Sequence, residues 1–169
     1  LALYIMLNNL FPNVRPRRLR KNKTIRGLVS ETKLLKSKLI QPLFVSESIS
    51  KKQPLESMPG QFLFSKDLLH EEIEVLLNLG IKTIALFPNI PENLKDADGT
   101  NALNEQNFIC KLVSEIKDRY PEVVLITDVA LDPYTISGHD GIIKNDVVDN
   151  DLTLEALEKM AVNLAEAGA

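Results

Sequence analysis

Residues 127–141 read TDVALDPYTISGHDG and contain three carboxylates, Asp128, Asp132 and Asp140. In a strand, side chains alternate between faces, so Val124, Ile126, Asp128, Ala130 and Asp132 share one face while Thr127, Val129 and Leu131 take the other. Two carboxylates then stand at the carboxyl end of an apolar strand, where α/β folds place their active sites. Pro133 ends the strand, and the loop through Gly138 and Gly141 can return Asp140 to the same mouth, so that three carboxylates converge. Hard oxygen donors suit magnesium or a monovalent cation, whereas zinc prefers nitrogen and sulfur. The plainer role for each aspartate is a cap on strand-end amides. For Asp128 and Asp132 together, the cost of an unpaired buried carboxylate argues for function. His139 offers an acid or base, or simply a hydrogen bond to backbone. His70, beside Glu71 and Glu72, reads as a solvated surface residue. Cys110, one position off an apolar helical stripe, reads as a space filler. The stretch KDADG, 95–99, reads as a polar turn whose two acids could touch a cation.

Three apolar runs rich in β-branched residues must position these groups: LIQPLFVS from Leu39, IKTIALFP from Ile81 and VVLITDVALD from Val123. Each is followed by helical periodicity. The first helix runs from an N-cap at about Ser65 through Leu68, Leu69, Ile73, Leu76 and Leu77 to Gly80. The second carries Phe108, Ile109, Leu112, Val113 and Ile116 and ends before Pro121. The third opens near Asp151, carries Leu154, Leu157, Ala161 and Leu164, and ends at Gly168. Alternating strands and helices imply an α/β fold with parallel pairing and right-handed crossovers. Near-continuous apolar strands fit a sheet covered on both faces. No GxGxxG or GxxxxGK[ST] turn follows any strand, which leaves a dinucleotide or P-loop site unsupported. Spacing alone does not separate a (β/α)8 barrel from an open doubly wound sheet, and three units are too few for either.

Composition sets the outer limits. The chain has 169 residues, 44% apolar and 25% charged, enough for one globular domain and unlike a disordered or collagenous sequence. No apolar run approaches the roughly 20 residues of a membrane span. A single cysteine allows no internal disulfide or multi-cysteine zinc site and points to a reducing cytoplasm. Arg15, Arg17, Arg18, Arg20, Lys21, Lys23 and Arg26 form a basic arm without acids. Seven positive charges taken from a total of −3 leave −10 on the remainder. Such an arm can bind nucleic acid or a membrane surface, or dock on an acidic patch of its own protein. Missing aromatics and the neighbouring Pro12 and Pro16 argue against a recognition helix. The opening LALYIMLNNLF lacks the preceding positive charges and the cleavage site of a secretory signal.

The segments RPRRLRKN (15–22), SMPGQ (57–61), LFPNIPENLKDADG (86–99), TDVALDPYTISGHDG (127–141) and NLAEAGA (163–169) resemble, in order, the amino-terminal half of the delta-aminolevulinic acid dehydratases, or porphobilinogen synthases. The likeness covers nearly everything from Arg15 onward. It implies the first three βα units of an incomplete (β/α)8 TIM barrel over 39–169, preceded by an extended arm over 1–38 of which 1–14 are extraneous or disordered. It also implies the family's chemistry, condensation of two 5-aminolevulinate molecules to porphobilinogen with loss of two waters, in tetrapyrrole and heme synthesis. The family's arm wraps a neighbouring subunit, usually in a homo-octamer, which accounts for the basic stretch without nucleic acid or membrane. Zinc-dependent members carry three cysteines where this chain has Ala130, Asp132 and Asp140. The resemblance is therefore to the aspartate-rich, zinc-independent branch, often stimulated by magnesium, and Asp128 matches an active-site aspartate of both branches. This assigns Asp128, Asp132 and Asp140 to the active-site mouth and Asp132 and Asp140 to magnesium or a monovalent ion.

The family's two Schiff-base lysines lie on late barrel strands and match no lysine here. The chain starts on Leu1 and ends on Ala169 where a fourth strand with a PSDMMDG-like motif is expected. Both ends are thus expected to be cut points, and these 169 residues alone are expected to be inactive. The alternative expectation is a noncatalytic truncated paralogue that assembles with intact subunits.

Overall fold

In a computed structural model, residues 17–169 are described. The apolar run 1–11, Pro12, Arg15 and Pro16 lie outside the described residues, and with them any reading of a leader or of the arm's first charge. The chain divides into two compact units at Leu35. The described part of the first holds a 3-10 turn, Arg18–Arg20, and α1, Lys23–Leu28, whose N-cap Asn22 accepts a hydrogen bond from the Ile25 amide at 2.9 Å. Neither contains a buried residue.

The second unit, residues 36–169, carries a five-stranded sheet in the order β2-β3-β1-β4-β5. Its strands are β1 (Ile40–Val45), β2 (Gln53–Pro54), β3 (Phe62–Phe64), β4 (Thr83–Pro88) and β5 (Val124–Thr127). The helices are α2 (Lys66–Leu79), α3 (Phe108–Arg119) and α4 (Asn150–Ala167). β1, β4 and β5 are parallel, with Pro42 level with Ala85 and Ala85 level with Ile126. Pro42, which has no N–H to give, falls where only β4 runs beside β1. The result is a partial (β/α)8 barrel.

Two features add to the expected three βα units. β3 pairs parallel to β1, and β2 pairs antiparallel to β3, so the segment before α2 is itself part of the sheet. A small antiparallel hairpin, β6 (Ile143–Lys144) and β7 (Val147–Val148), turns through Asn145 and Asp146, both with positive φ. That backbone is the one two-residue hairpin turns require.

One face of the sheet is packed under the helices. Leu43, Val45, Ile84, Leu86, Val123 and Leu125 are buried in one core with Leu69, Ile73, Ile109, Leu112, Val113, Ile116 and Met160. The other face, lined by Ile40, Phe44, Phe87, Val124 and Ile126, is only partly covered. The rings of Phe44 and Phe87 stack on it at 5.4 Å. Both faces were expected to be covered, but only the helix side is. A barrel's inner face is filled by the opposite strands, and three barrel strands leave it open.

Helix ends follow local chemistry. Asn107 and Asp149 cap α3 and α4 by accepting from Cys110 and Leu152 amides, while α2 and α4 stop at Gly80 and Gly168 in the left-handed conformation. Ser65 occupies the N-cap position of α2, yet its side chain makes no capping hydrogen bond. The buried stripe of α4 is Thr153, Ala156, Met160, Asn163 and Leu164. Leu154 and Ala161, expected inside, face outward because Thr153 and Asn163 find partners within: the Thr153 hydroxyl donates to Asp149 O and accepts from the Ile142 amide, and Asn163 donates to Leu103 O.

Candidate functional site

The third strand is shorter than its apolar run. β5 ends at Thr127, and residues 128–130 join no ladder. A turn then closes at Leu131, whose carbonyl accepts from the amides of Tyr134 at 2.8 Å and Thr135 at 3.0 Å. Pro133 cannot donate to a ladder, and buried Leu131 and Tyr134 pull this turn onto the core. Val124 and Ile126 are exposed on the open face, and Asp128, also exposed, follows directly after the strand. Asp132 lies in that turn, so strand alternation does not set its direction.

All three aspartates are exposed as residues, so the unpaired burial expected of Asp128 and Asp132 together is not found. The loop nevertheless brings Asp140 within hydrogen-bonding reach of Asp132. Partial burial of the Asp132 carboxyl comes first among the causes that hold it above the ordinary carboxylate range. The adjacency and charge of Asp140, then the charge of Asp128, act in the same direction. Among the described residues no group of three or more His, Cys, Asp or Glu is arranged to hold a metal ion. Asp132 and Asp140 are thus adjacent, and the charge of Asp128 also acts on Asp132.

The neighbouring side chains are structural. His139 Nδ1 accepts the Gly141 amide at 2.9 Å, the backbone role its loop position allowed. Thr135, buried, donates its hydroxyl to His139 O at 2.9 Å. Asp96, in the KDADG turn, accepts from the amides of Asp98 and Thr100, both at 3.0 Å, and from the Thr100 hydroxyl. Desolvation opposes its ionisation, yet these hydrogen bonds hold Asp96 below the ordinary carboxylate range. Asp98 pairs with Lys144 at 2.6 Å. Cys110 is buried, with its thiol pushed up by desolvation, as a space filler should be.

His70 corrects the surface reading. It is buried between α2 and α3, its Nε2 is 3.0 Å from Glu115 Oε1, and its ring lies 5.8 Å from that of Tyr120. The adjacent Glu71 and Glu72 point elsewhere along the helix; position 70 falls on the stripe of Leu69, Ile73 and Leu76, which the heptad-like spacing could have shown.

A family model described as delta-aminolevulinic acid dehydratase matches residues 13–169. The chain belongs to the delta-aminolevulinic acid dehydratase family. A delta-aminolevulinic acid dehydratase of Chlamydia pneumoniae is 46% identical over 155 residues, covering 92% of this chain and 47% of that protein. One from Ruminiclostridium josui is 43% identical over 155 residues, covering 92% of this chain and 75% of its own length. The crystal structure of the Toxoplasma gondii delta-aminolevulinic acid dehydratase (porphobilinogen synthase), in complex with the reaction product porphobilinogen, superposes with a TM-score of 0.87 at 40% identity. It covers 92% of this chain and 44% of that one. The chain thus spans about half the length of the Chlamydia and Toxoplasma dehydratases. Among the described residues, no helix is long and apolar enough to cross a membrane.

Proposed function

We propose that this chain forms the amino-terminal part of a porphobilinogen synthase that condenses two 5-aminolevulinate molecules to porphobilinogen, with release of two waters, in a reducing cytoplasm. The observation that carries the reading is the Asp132–Asp140 pair at the carboxyl end of β5, in a chain that matches the dehydratase family from residue 13 onward. Asp128, the exposed residue directly after β5, is assigned to the substrate side of the mouth. Schiff-base chemistry needs an amine held beside the substrate carbonyl, and the family's lysines for it lie beyond the matched segment. This part of the enzyme then supplies the acidic wall of the site, and the remaining strands supply the nucleophiles.

The donor set fits a hard cation. Asp132 and Asp140 crowd each other as like charges, which a magnesium or monovalent ion would relieve, and Ala130, two residues before Asp132, offers no ligand. Such an ion supplies charge neutralisation at the mouth. The basic arm, whose described helices bury nothing, is assigned to contact with a neighbouring copy in a homo-oligomer, an octamer by family resemblance.

The test is porphobilinogen formation from 5-aminolevulinate by the product of the full reading frame that contains these codons. Activity that falls at least about tenfold in Asp128→Asn supports the assignment, since a charged group used in the transition state contributes on that scale. A product without such activity, or an Asp128→Asn variant with unchanged kcat and KM, overturns it. A polypeptide of these 169 residues alone is expected to form no porphobilinogen and no borohydride-trapped adduct with 5-aminolevulinate.

A further inference from the structure

The loop that carries Asp132 and Asp140 is held by a different loop. Asp96 lies in the connection from β4 to α3, yet its backbone runs parallel to residues 134–136 as a one-residue bridge: the Asp96 amide donates to Tyr134 O at 3.2 Å, and the Ile136 amide donates to Asp96 O at 2.9 Å. The Asp96 side chain keeps that backbone in place. Its carboxylate gathers the amides of Asp98 and Thr100 and the Thr100 hydroxyl, closing the 96–100 turn on itself. Gly99 completes the fit. Its φ of +65° is left-handed, and a Cβ there would touch Leu131 at 3.4 Å and Thr135 at 3.5 Å.

Thr135 passes this anchoring on to both acids. Its amide donates to Leu131 O at 3.0 Å, next to Asp132, and its hydroxyl donates to His139 O at 2.9 Å, next to Asp140. The acids stand at the two ends of a loop whose middle is clamped between β4's connection and the core. Exposed side chains eight positions apart along a loop would otherwise wander relative to each other.

We propose that Asp96 and Thr135 are positioning residues for the active-site mouth: Asp96 fixes the 134–136 backbone, and Thr135 transmits that position to Asp132 and Asp140. This rests on the functional reading above and adds a role for the KDADG turn, which that reading leaves unused.

The experiment measures kcat and KM for 5-aminolevulinate in the intact enzyme, together with amide hydrogen exchange at Ile136 and at Leu86 in β4. Asp96→Ala is expected to lower kcat by about 10- to 100-fold, the scale of an ångström-level misplacement, with KM changed less than about threefold. Exchange at Ile136 rises while Leu86 stays protected. Asp96→Asn keeps an acceptor for both amides and is expected to retain most of the activity. Thr135→Val is expected to resemble Asp96→Ala, and Thr135→Ser to restore activity. If Asp96→Ala does not fold, Thr100→Val, which deletes one hydroxyl, serves instead and should lower kcat in the same direction. Unchanged kcat in the variant that folds overturns the proposal, as does equal loss in Thr135→Val and Thr135→Ser or a loss that tracks exposure of Leu86. An unmutated enzyme that forms no porphobilinogen overturns the functional reading and this proposal with it. Activity in that enzyme with unaffected variants overturns the positioning role alone.

Discussion

Replacing Ile40, Val124 and Ile126 together by threonine is expected to have opposite effects on the 169-residue polypeptide and on a complete barrel. These residues stand on the open face of β1 and β5 with relative exposures of 53%, 57% and 42%. Full burial of such a side chain is worth about 1.5–3 kcal/mol, so leaving each about half exposed forgoes about 0.7–1.5 kcal/mol, and the three together about 2–5 kcal/mol. Domain stability is only about 5–15 kcal/mol, so this loss is a large part of the total. The same residues then form an apolar patch beside the unpaired edge of β5. The unmutated polypeptide is expected to self-associate, bind a hydrophobic dye and unfold over a broad urea range. The triple variant should be more soluble and bind less dye. In the complete enzyme, where opposite strands fill the inner face, the same triple change should lower stability by about 2–5 kcal/mol. Size-exclusion chromatography with light scattering, dye fluorescence and urea unfolding by circular dichroism read both arms. A dilute unmutated polypeptide that is monomeric, dye-free and sharply cooperative would refute the reasoning, because its open face would then carry no cost.

Three further outcomes follow from individual groups. The Tyr134 hydroxyl is fully buried without a hydrogen-bond partner among the described residues, so Tyr134→Phe should be neutral or stabilising by up to about 1–3 kcal/mol in urea titrations of the complete enzyme; destabilisation above about 1 kcal/mol would show that the hydroxyl is bonded. Asp96 is held below its ordinary pKa, so its hydrogen bonds stabilise the fold above the unfolded value near 4 and are lost as pH falls through the lower folded value; Asp96→Asn should remove that acid-side dependence, and an unchanged pH–stability curve below about pH 4 would contradict it. Cys110 is buried with its thiol pushed upward, so the folded enzyme should react with a thiol reagent such as dithionitrobenzoate only on unfolding, and rapid native-state labelling would contradict that.

Much of the architecture was legible because it depends on local chemistry. The apolar runs at 39, 81 and 123 became β1, β4 and β5, and Gly80, Pro121 and Gly168 closed the helices where backbone freedom or a missing N–H demands it. The motif in 127–141 carried the family by residue type alone. What the sequence left undecided depends on partners distant along the chain. The strand at 123 stopped at Thr127 because pairing with β4 runs only from Thr83 to Leu86, a limit no local pattern displays. β3 was hidden in three residues, Phe62–Phe64, that become a strand only because the end of β1 is free to receive them. His70 looked solvated beside two glutamates until Glu115, 45 residues away, closed over its Nε2. Asp132 and Asp140 were singled out by type, but their approach to each other was set by the Leu131 turn and by the bridge from Asp96. Periodicity encodes which face of an element is apolar; only packing between elements decides which loop ends meet and which charges must share a site.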